Sequence, residues 1–273
     1  MKPFEYHEPK EIAEAVGLLS KLGPSVKILA GGTDLIIQME QRTCMPRHVV
    51  NVLRIPELQG VSGRSGMITV GSATSLRHVE TSPLLRDKAP VLCEAVSTIG
   101  SIQIRNLATV GGNLCNAAPS ADAAPPLLIL EAKVRIVGPK GERDLPLREF
   151  FKGPRQTALQ TDELLVAIEI PEPPCEFRGI YYKQSPRYAM DIAVVGVAVG
   201  VLRSNGKCDE ARISLGAVAP IPLRVAEAEA ILKGNSPEER LVNAAAEISR
   251  KAAKPISDVR ASADYRRAMV ETL

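Results

Sequence analysis

Ala108-Thr109-Val110-Gly111-Gly112-Asn113-Leu114-Cys115-Asn116-Ala117-Ala118-Pro119-Ser120-Ala121-Asp122 is a glycine pair set among small and hydrogen-bonding residues, and little of it can pack a core. A double glycine after β-branched Thr109 and Val110 lets the backbone turn sharply and approach another group closely, because no Cβ stands in the way. Within the same short span Asn113 and Asn116 offer amides, Thr109 and Ser120 hydroxyls, and Asp122 a carboxylate. An isolated Gly-Gly reads as a turn at the end of a strand. Here the pattern recurs: Lys27-Ile28-Leu29-Ala30 runs as an apolar strand into Gly31-Gly32-Thr33-Asp34, 80 positions before Gly111. Two such loops in one chain read as two jaws around one anionic, hydroxyl-rich ligand, with backbone N–H groups aimed at phosphate.

The rest of the chain limits what that ligand serves. At 273 residues, 45% of them hydrophobic, the chain can build one large or two to three small domains around a sizeable core. Aromatic residues are 3% and tryptophan is absent, so Val, Ile, Leu and Ala must fill that core. The 34 basic and 31 acidic residues leave a net charge of +3 without any basic block, which argues against a nucleic acid partner. The opening Met1-Lys2-Pro3-Phe4-Glu5-Tyr6 lacks the apolar stretch of a secretory signal. The longest apolar run, Ile192 to Leu202, is well short of the ~20 residues that span a bilayer, so no membrane span and a cytoplasmic location are expected. Five cysteines, Cys44, Cys93, Cys115, Cys175 and Cys208, are odd in number and widely spaced, which reads as reduced thiols rather than disulfides or a cluster site.

Three segments follow from periodicity and punctuation. Residues 1–56 predict a short strand at Phe4–Tyr6, a helix from Glu11 to Leu22, a strand from Lys27 to Ala30, a short helix at Leu35–Met39 and a strand at Val49–Val52. No Gly-x-Gly-x-x-Gly fingerprint is present there. Residues 57–171 predict a hairpin about Arg64-Ser65-Gly66, helices at Leu76–Glu80 and Ala89–Ser97, and a helix through Leu127–Leu130 opened by Pro125 and Pro126. A second hairpin turned by Pro139-Lys140-Gly141 and a closing strand from Glu163 to Ile170 complete that segment. Residues 172–273 predict strands at Gly179–Gln184, Asp191–Leu202 and Ala211–Val218, with a hairpin at Ser204-Asn205-Gly206-Lys207. Helices finish the chain. One opens at Ser236 with Pro237 at its first position and a buried face of Leu241, Ala244, Ala245 and Ile248; the last carries Tyr265 and Met269.

Candidate chemistry is narrowed by elimination. The spacing around Gly206-Lys207 misses a P-loop and places Cys208 where a hydroxyl is needed; Gly-x-Ser-x-Gly is missing; and His7, His48 and His78 have no sequence partner at metal spacing. Without a nucleophile, a metal set or an acid/base pair, no catalytic residue is assigned, and chemistry would rest on an organic cofactor. A cofactor with a pyrophosphate and sugar hydroxyls suits the two loops: Gly31, Gly32, Gly111 and Gly112 N–H groups could face the pyrophosphate, with Thr33, Thr109 and Asn113 adding donors and Asp34 and Asp122 available to the hydroxyls. A carboxylate beside pyrophosphate is repulsive, so Asp122 either touches sugar or caps the helix that follows it.

Ala30-Gly31-Gly32-Thr33-Asp34 and Thr109-Val110-Gly111-Gly112-Asn113 resemble the two flavin-binding signatures of the FAD-binding medium subunits of molybdenum hydroxylases, the xanthine dehydrogenase and carbon monoxide dehydrogenase group. The resemblance continues through Ser101–Asn106, Glu163-Leu164-Leu165, Tyr182-Lys183-Gln184, Met190–Ala193 and Ser262–Arg266, in order along almost the whole chain. It implies an α+β fold: two flavin-binding subdomains of the PCMH type with FAD between them, then a C-terminal antiparallel sheet with helices. Lys27 to Asp34 and Thr109 to Asn113 match the family's FAD-contacting segments, Leu165 a packing contact to the isoalloxazine, and Lys183 a lysine beside the ring, where an ammonium would raise the flavin potential. Ile99 stands where some relatives carry a stacking aromatic, which leaves Tyr181, Tyr182 and Tyr188 as candidates. By resemblance, [2Fe–2S] clusters and the molybdopterin cofactor would sit in partner subunits. This chain would pass electrons from an iron–sulfur partner to NAD+ or another acceptor. Two other readings stay open: a stand-alone FAD-dependent reductase of the same wider fold, and a non-catalytic FAD carrier module.

Overall fold

The computed structural model describes residues 1–273, and its strands fall mainly into three sheets that succeed one another along the chain. The first is parallel. It comprises β1 (Glu5–His7), β2 (Val26–Leu29) and β3 (His48–Asn51) in the order β1-β3-β2. Helix α1 (Ile12–Leu22) crosses from β1 to β2, burying Ala15, Val16 and Leu19, which share one helical face. Gly23, at φ 60, ends it. Helix α2 (Leu35–Glu40) begins directly beyond the first glycine loop.

The second sheet holds β4 (Val61–Arg64), β5 (Met67–Gly71), β6 (Lys133–Gly138), β7 (Gly141–Pro146) and the last strand of this unit, Leu164–Pro171; a small hairpin, β8 (Phe151–Gly153) and β9 (Gln156–Thr157), precedes that strand, which is therefore β10. The order is β4-β5-β10-β6-β7, antiparallel throughout. Every residue of β10 from Leu164 to Ile170 is buried, because both faces are covered. Leu165, Ile168 and Ile170 enter the largest core, whereas Leu164, Val166 and Ala167 pack with α1 and β3. One strand thus joins two cores and fixes the first sheet against the second. Its buried Glu169 is neutralised by Arg135 Nη2 at 2.6 Å.

Between β5 and β6 lie six short helices: α3 (Leu76–Thr81), α4 (Pro83–Lys88), α5 (Pro90–Ser97), α6 (Ile102–Leu107), α7 (Val110–Asn116) and α8 (Ala124–Ile129). Serines cap α3, α4 and α6: the Ser75, Ser82 and Ser101 hydroxyls accept from the N–H three residues on. All six residues of α8 are buried. A single turn, α9 (Leu147–Phe150), closes the unit below β7.

The third sheet is β11 (Phe177–Gln184), β12 (Val195–Ser204), β13 (Lys207–Gly216) and β14 (Leu223–Arg224), in sequential antiparallel order. Alternation divides its faces. Phe177, Tyr181 and Ala198 join the largest core, while Val195, Val197, Ile213 and Leu215 meet the helices α10 (Ala226–Leu232), α11 (Glu239–Ala252) and α12 (Ala263–Thr272). No helix is long and apolar enough to cross a membrane.

The differences from the sequence reading are local. The glycine pair 111–112 opens α7 instead of forming a turn, and neither residue has positive φ. Ser236 does not cap α11, which begins at Glu239 behind Glu238; the Ser236 hydroxyl instead donates to Gly206 O. In the expected apolar face of α11, Ala244 is exposed and Ser249 takes a buried place. The strand expected from Asp191 starts at Val195, with residues 185–194 forming a loop.

Candidate functional site: a cleft between two glycine segments

The loop 30–34 leaves β2 where the parallel ladder ends, and the segment 108–111 is pinned beside residues 72–76. Leu76 N–H donates to Ala108 O at 2.8 Å, Val110 N–H to Thr74 O at 3.0 Å and Gly111 N–H to Ser72 O at 2.9 Å. Ser72 N–H in turn reaches Val166 O of β10 at 3.0 Å, so the central strand sets the position of the second segment. They meet. A Cβ built on Gly31 would lie 2.1 Å from Leu107 O, and Asn116 Nδ2 donates to Asp34 Oδ1 at 3.1 Å. The cleft that results has a volume of about 930 Å³.

Its walls contain most of the residues singled out from sequence: Lys27, Ile28, Ala30, Gly31, Gly32, Thr33 and Asp34 on one side, Thr109, Gly111, Gly112, Asn113 and Leu165 on the other. Leu29 and Val110 do not line it; Val110 is core. Asp122 and Lys183 also lie off the wall. They form a buried pair, Lys183 Nζ to Asp122 Oδ2 at 2.9 Å, and Tyr181 donates to Asp122 Oδ1 at 2.6 Å. Lys183 further donates to Thr98 O at 3.0 Å, next to Ile99 on the wall. Asp122 therefore neither caps α8, whose first flanking residue is Ala123, nor presents a free oxygen to a sugar. Burial pushes its carboxyl up, and the Lys183 ammonium and Tyr181 hydroxyl pull it back. Burial likewise pushes the Tyr181 phenol far above its ordinary value, so it remains a donor. None of the three candidate stacking tyrosines lines the cleft: Tyr181 is buried, Tyr182 is 51% exposed and Tyr188 is fully exposed.

The two glycine segments offer different chemistry. In the second, the N–H groups are already used: Gly111 on Ser72 O, Gly112 on the Thr109 hydroxyl at 3.1 Å, Asn113 on Thr109 O at 2.9 Å. The expectation that Gly111 and Gly112 N–H face phosphate is thereby corrected. In the first, the N–H groups of Gly31, Gly32, Thr33 and Asp34 donate to no acceptor within the chain. Gly32 adopts φ +71, which turns successive amides to the same side. A run of unpaired, solvent-accessible backbone donors at a cleft wall is open to a polyanion. The Asn113 Oδ1 atom is buried without a partner, in a residue that lines the cleft. A diphosphate joined to hydroxyl-bearing sugars and flat rings fits this donor set.

Sequence reasoning missed Ser72 and Ala73, which line the cleft from the turn after β5, Leu76 of α3, and Arg155, brought in by the β8–β9 turn through its N–H to Ala117 O at 2.9 Å. Arg155 carries positive φ and no local motif, so nothing in the sequence marked it. Glu163 also lines the cleft, and the Arg143 guanidinium bonded to it holds its carboxyl below the usual range. Desolvation pushes the Cys115 thiol up to about 12, which disfavours its thiolate.

Comparison with known proteins defines the class of chain that carries this cleft, a flavin-binding oxidoreductase chain of α+β architecture. Residues 2–173 match the family model for the FAD binding domain in molybdopterin dehydrogenase, and residues 180–273 that for the CO dehydrogenase flavoprotein C-terminal domain. The chain is 37% identical over 270 residues to the xanthine dehydrogenase FAD-binding subunit of Escherichia coli O157:H7, covering 98% of this chain and 92% of that one. It is 35% identical over 266 residues to the carbon monoxide dehydrogenase medium chain of Hydrogenophaga pseudoflava, covering 97% and 92%. Among solved structures, carbon monoxide dehydrogenase from Hydrogenophaga pseudoflava superposes with a TM-score of 0.97 at 36% identity, over all of this chain and 95% of that one. Quinoline 2-oxidoreductase from Pseudomonas putida 86 gives 0.94 at 29% identity, over 100% and 95%. The chain belongs to the family of FAD-binding medium subunits of the xanthine dehydrogenase and carbon monoxide dehydrogenase type.

Proposed function

We propose that this chain is the electron-exit subunit of a molybdenum-containing dehydrogenase, reduced by a [2Fe–2S] partner subunit and reoxidised by NAD+ or another acceptor, with substrate oxidised in a molybdopterin-bearing large subunit. The run of unpaired N–H groups from Gly31 to Asp34 carries the FAD part of this reading, and the relatives named as medium chains and FAD-binding subunits support the rest. Bound FAD supplies the ability to take up electrons one at a time and release them as a pair. Gly31, Gly32, Thr33 and Asp34 amides would bind the pyrophosphate, and the Thr109 hydroxyl and Asn113 amide would orient it. Leu165, Ile99 and Ile104 would exclude water from the ring. The Asp122–Lys183 pair would hold Thr98, and through it Ile99, in place from behind. We further propose functional units at 1–56, 57–171 and 172–273. A cytoplasmic location completes the reading and is consistent with five free cysteines.

Purification of the chain from its native extract tests this. It should travel with an iron–sulfur subunit and a molybdenum subunit, and acid precipitation should release FAD into the supernatant, since neither glycine segment contains a histidine and Cys115 is the one cysteine in them. A free monomer that turns over alone with NADH and a soluble substrate would instead mark a stand-alone reductase. Flavin that stays with the pellet, or is released as FMN, would contradict the diphosphate cradle.

A further inference from the structure

The sequence gives His7 and His48 no partner at metal spacing, yet the fold brings them together. β1 and β3 run parallel with Glu5 opposite His48, and the two-residue period of a strand puts Glu5 and His7 on the same face as His48. His7 Nε2 and His48 Nδ1 stand 3.3 Å apart; Glu5 Oε2 lies 3.2 Å from His48 Nδ1 and 4.0 Å from His7 Nε2. All three ligand atoms fall within 4.8 Å of one another. Zinc–nitrogen bonds of about 2.0–2.1 Å at a tetrahedral angle separate two nitrogens by about 3.3–3.4 Å, which is the separation found. The imidazoles are largely buried, with 24% and 18% of their side-chain surface exposed, so their positions are set by the sheet. Glu5 is 73% exposed and free to close the small remaining distance to a cation.

We infer that Glu5, His7 and His48 form a divalent-metal site, taking Zn2+ through two imidazole nitrogens and one carboxylate oxygen, with water at the fourth position. Two imidazoles and a carboxylate suit a borderline cation over Ca2+ or Mg2+, which prefer all-oxygen sets. The ion sits between the facing nitrogens and clips the three-residue edge strand β1 to β3. That clip acts on the sheet whose other edge, β2, leads into the Gly31–Asp34 loop. The site is separate from the cleft, whose walls include none of its three residues.

The test uses the full chain, Zn2+ alone as the probe, and a chromophoric chelator as competitor. The parent should take up one equivalent that His7→Ala and His48→Ala weaken by roughly 100-fold or more, since even outer-shell partners of a metal are worth about 10- to 100-fold. Flavin content should not change in either variant, and zinc should raise the thermal midpoint of the parent only. X-ray absorption at the zinc edge of the parent supplies a second readout that needs no variant. Nitrogen and oxygen scatterers at about 2.0–2.2 Å with imidazole outer shells bear the proposal out. Failure to take up zinc, uptake unaltered in both variants, or sulfur scattering at about 2.3 Å from one of the free cysteines would overturn it.

Discussion

Gly31→Ala should remove most of the flavin, leaving below about a tenth of the parent's FAD per chain. The added Cβ would stand 2.1 Å from Leu107 O, 2.6 Å from Leu107 C and 2.7 Å from Ala108 Cα, all backbone. Nothing there can rotate away, so the two segments must part by about 1 Å, at an overpacking cost of about 1–3 kcal/mol or more. The parting moves the four unpaired amides away from Thr109 and Asn113, which face them across the cleft. Gly17→Ala, in α1, is the control. Its Cβ meets nothing within 4 Å, and the parent's flavin content should remain. Absorbance of the purified variants reads both outcomes, and a Gly31→Ala protein with the parent's flavin content would contradict the close approach of the two segments.

The second large effect belongs to Lys183. Because its ammonium pairs with a carboxylate that is itself buried, Lys183→Met should cost about 3–5 kcal/mol in denaturant unfolding, the price of stranding one charge in the core. The resemblance places Lys183 beside the flavin ring as a charge that raises its potential; the buried pair makes stability the first readout. Asp122→Asn combined with Lys183→Met removes both charges while leaving an acceptor for the Tyr181 hydroxyl, so it should recover a substantial part of the loss. If Lys183→Met unfolds at the parent's midpoint, the pair does not hold this part of the core.

The fold was legible wherever one residue pattern implied one environment. Turn signals such as Ser65-Gly66 and Asn205-Gly206 fell at the hairpins, and both Ser65 and Asn205 adopt the positive φ that such turns require. The strand before Pro171, apolar apart from Glu169, was identified, but its double burial depends on helices and a sheet far away in sequence. Helix α7 was missed because two glycines in a seven-residue segment cost about 1 kcal/mol each relative to alanine. The Thr109 cap and the burial of Val110 and Leu114 outweigh that cost. Helix α4 did carry a local signal, Ser82 before Pro83, that went unread.

The site was legible in its glycines and hidden in its hydrogen bonds. Both segments had the residues of an anion cradle, and only the structure separates one with spare amides from one whose amides are spent on Ser72 and Thr109. Asp122 and Lys183 are 61 positions apart, and no spacing rule links them. The same holds for His7 and His48, neighbours across a parallel strand pair that sequence order keeps 41 positions apart.

The central claim, that the Gly31–Asp34 amides hold the diphosphate of FAD, is tested most directly by adding FAD to the flavin-free chain and following each backbone amide by 1H–15N correlation. The amides of Gly31, Gly32, Thr33 and Asp34 should show the largest shifts and saturate at one equivalent, while those of Gly111 and Gly112 keep their intramolecular partners and move less. Riboflavin, which lacks the diphosphate, should leave the four in place. Saturating FAD that leaves them at their flavin-free positions, or riboflavin that moves them equally, would contradict it.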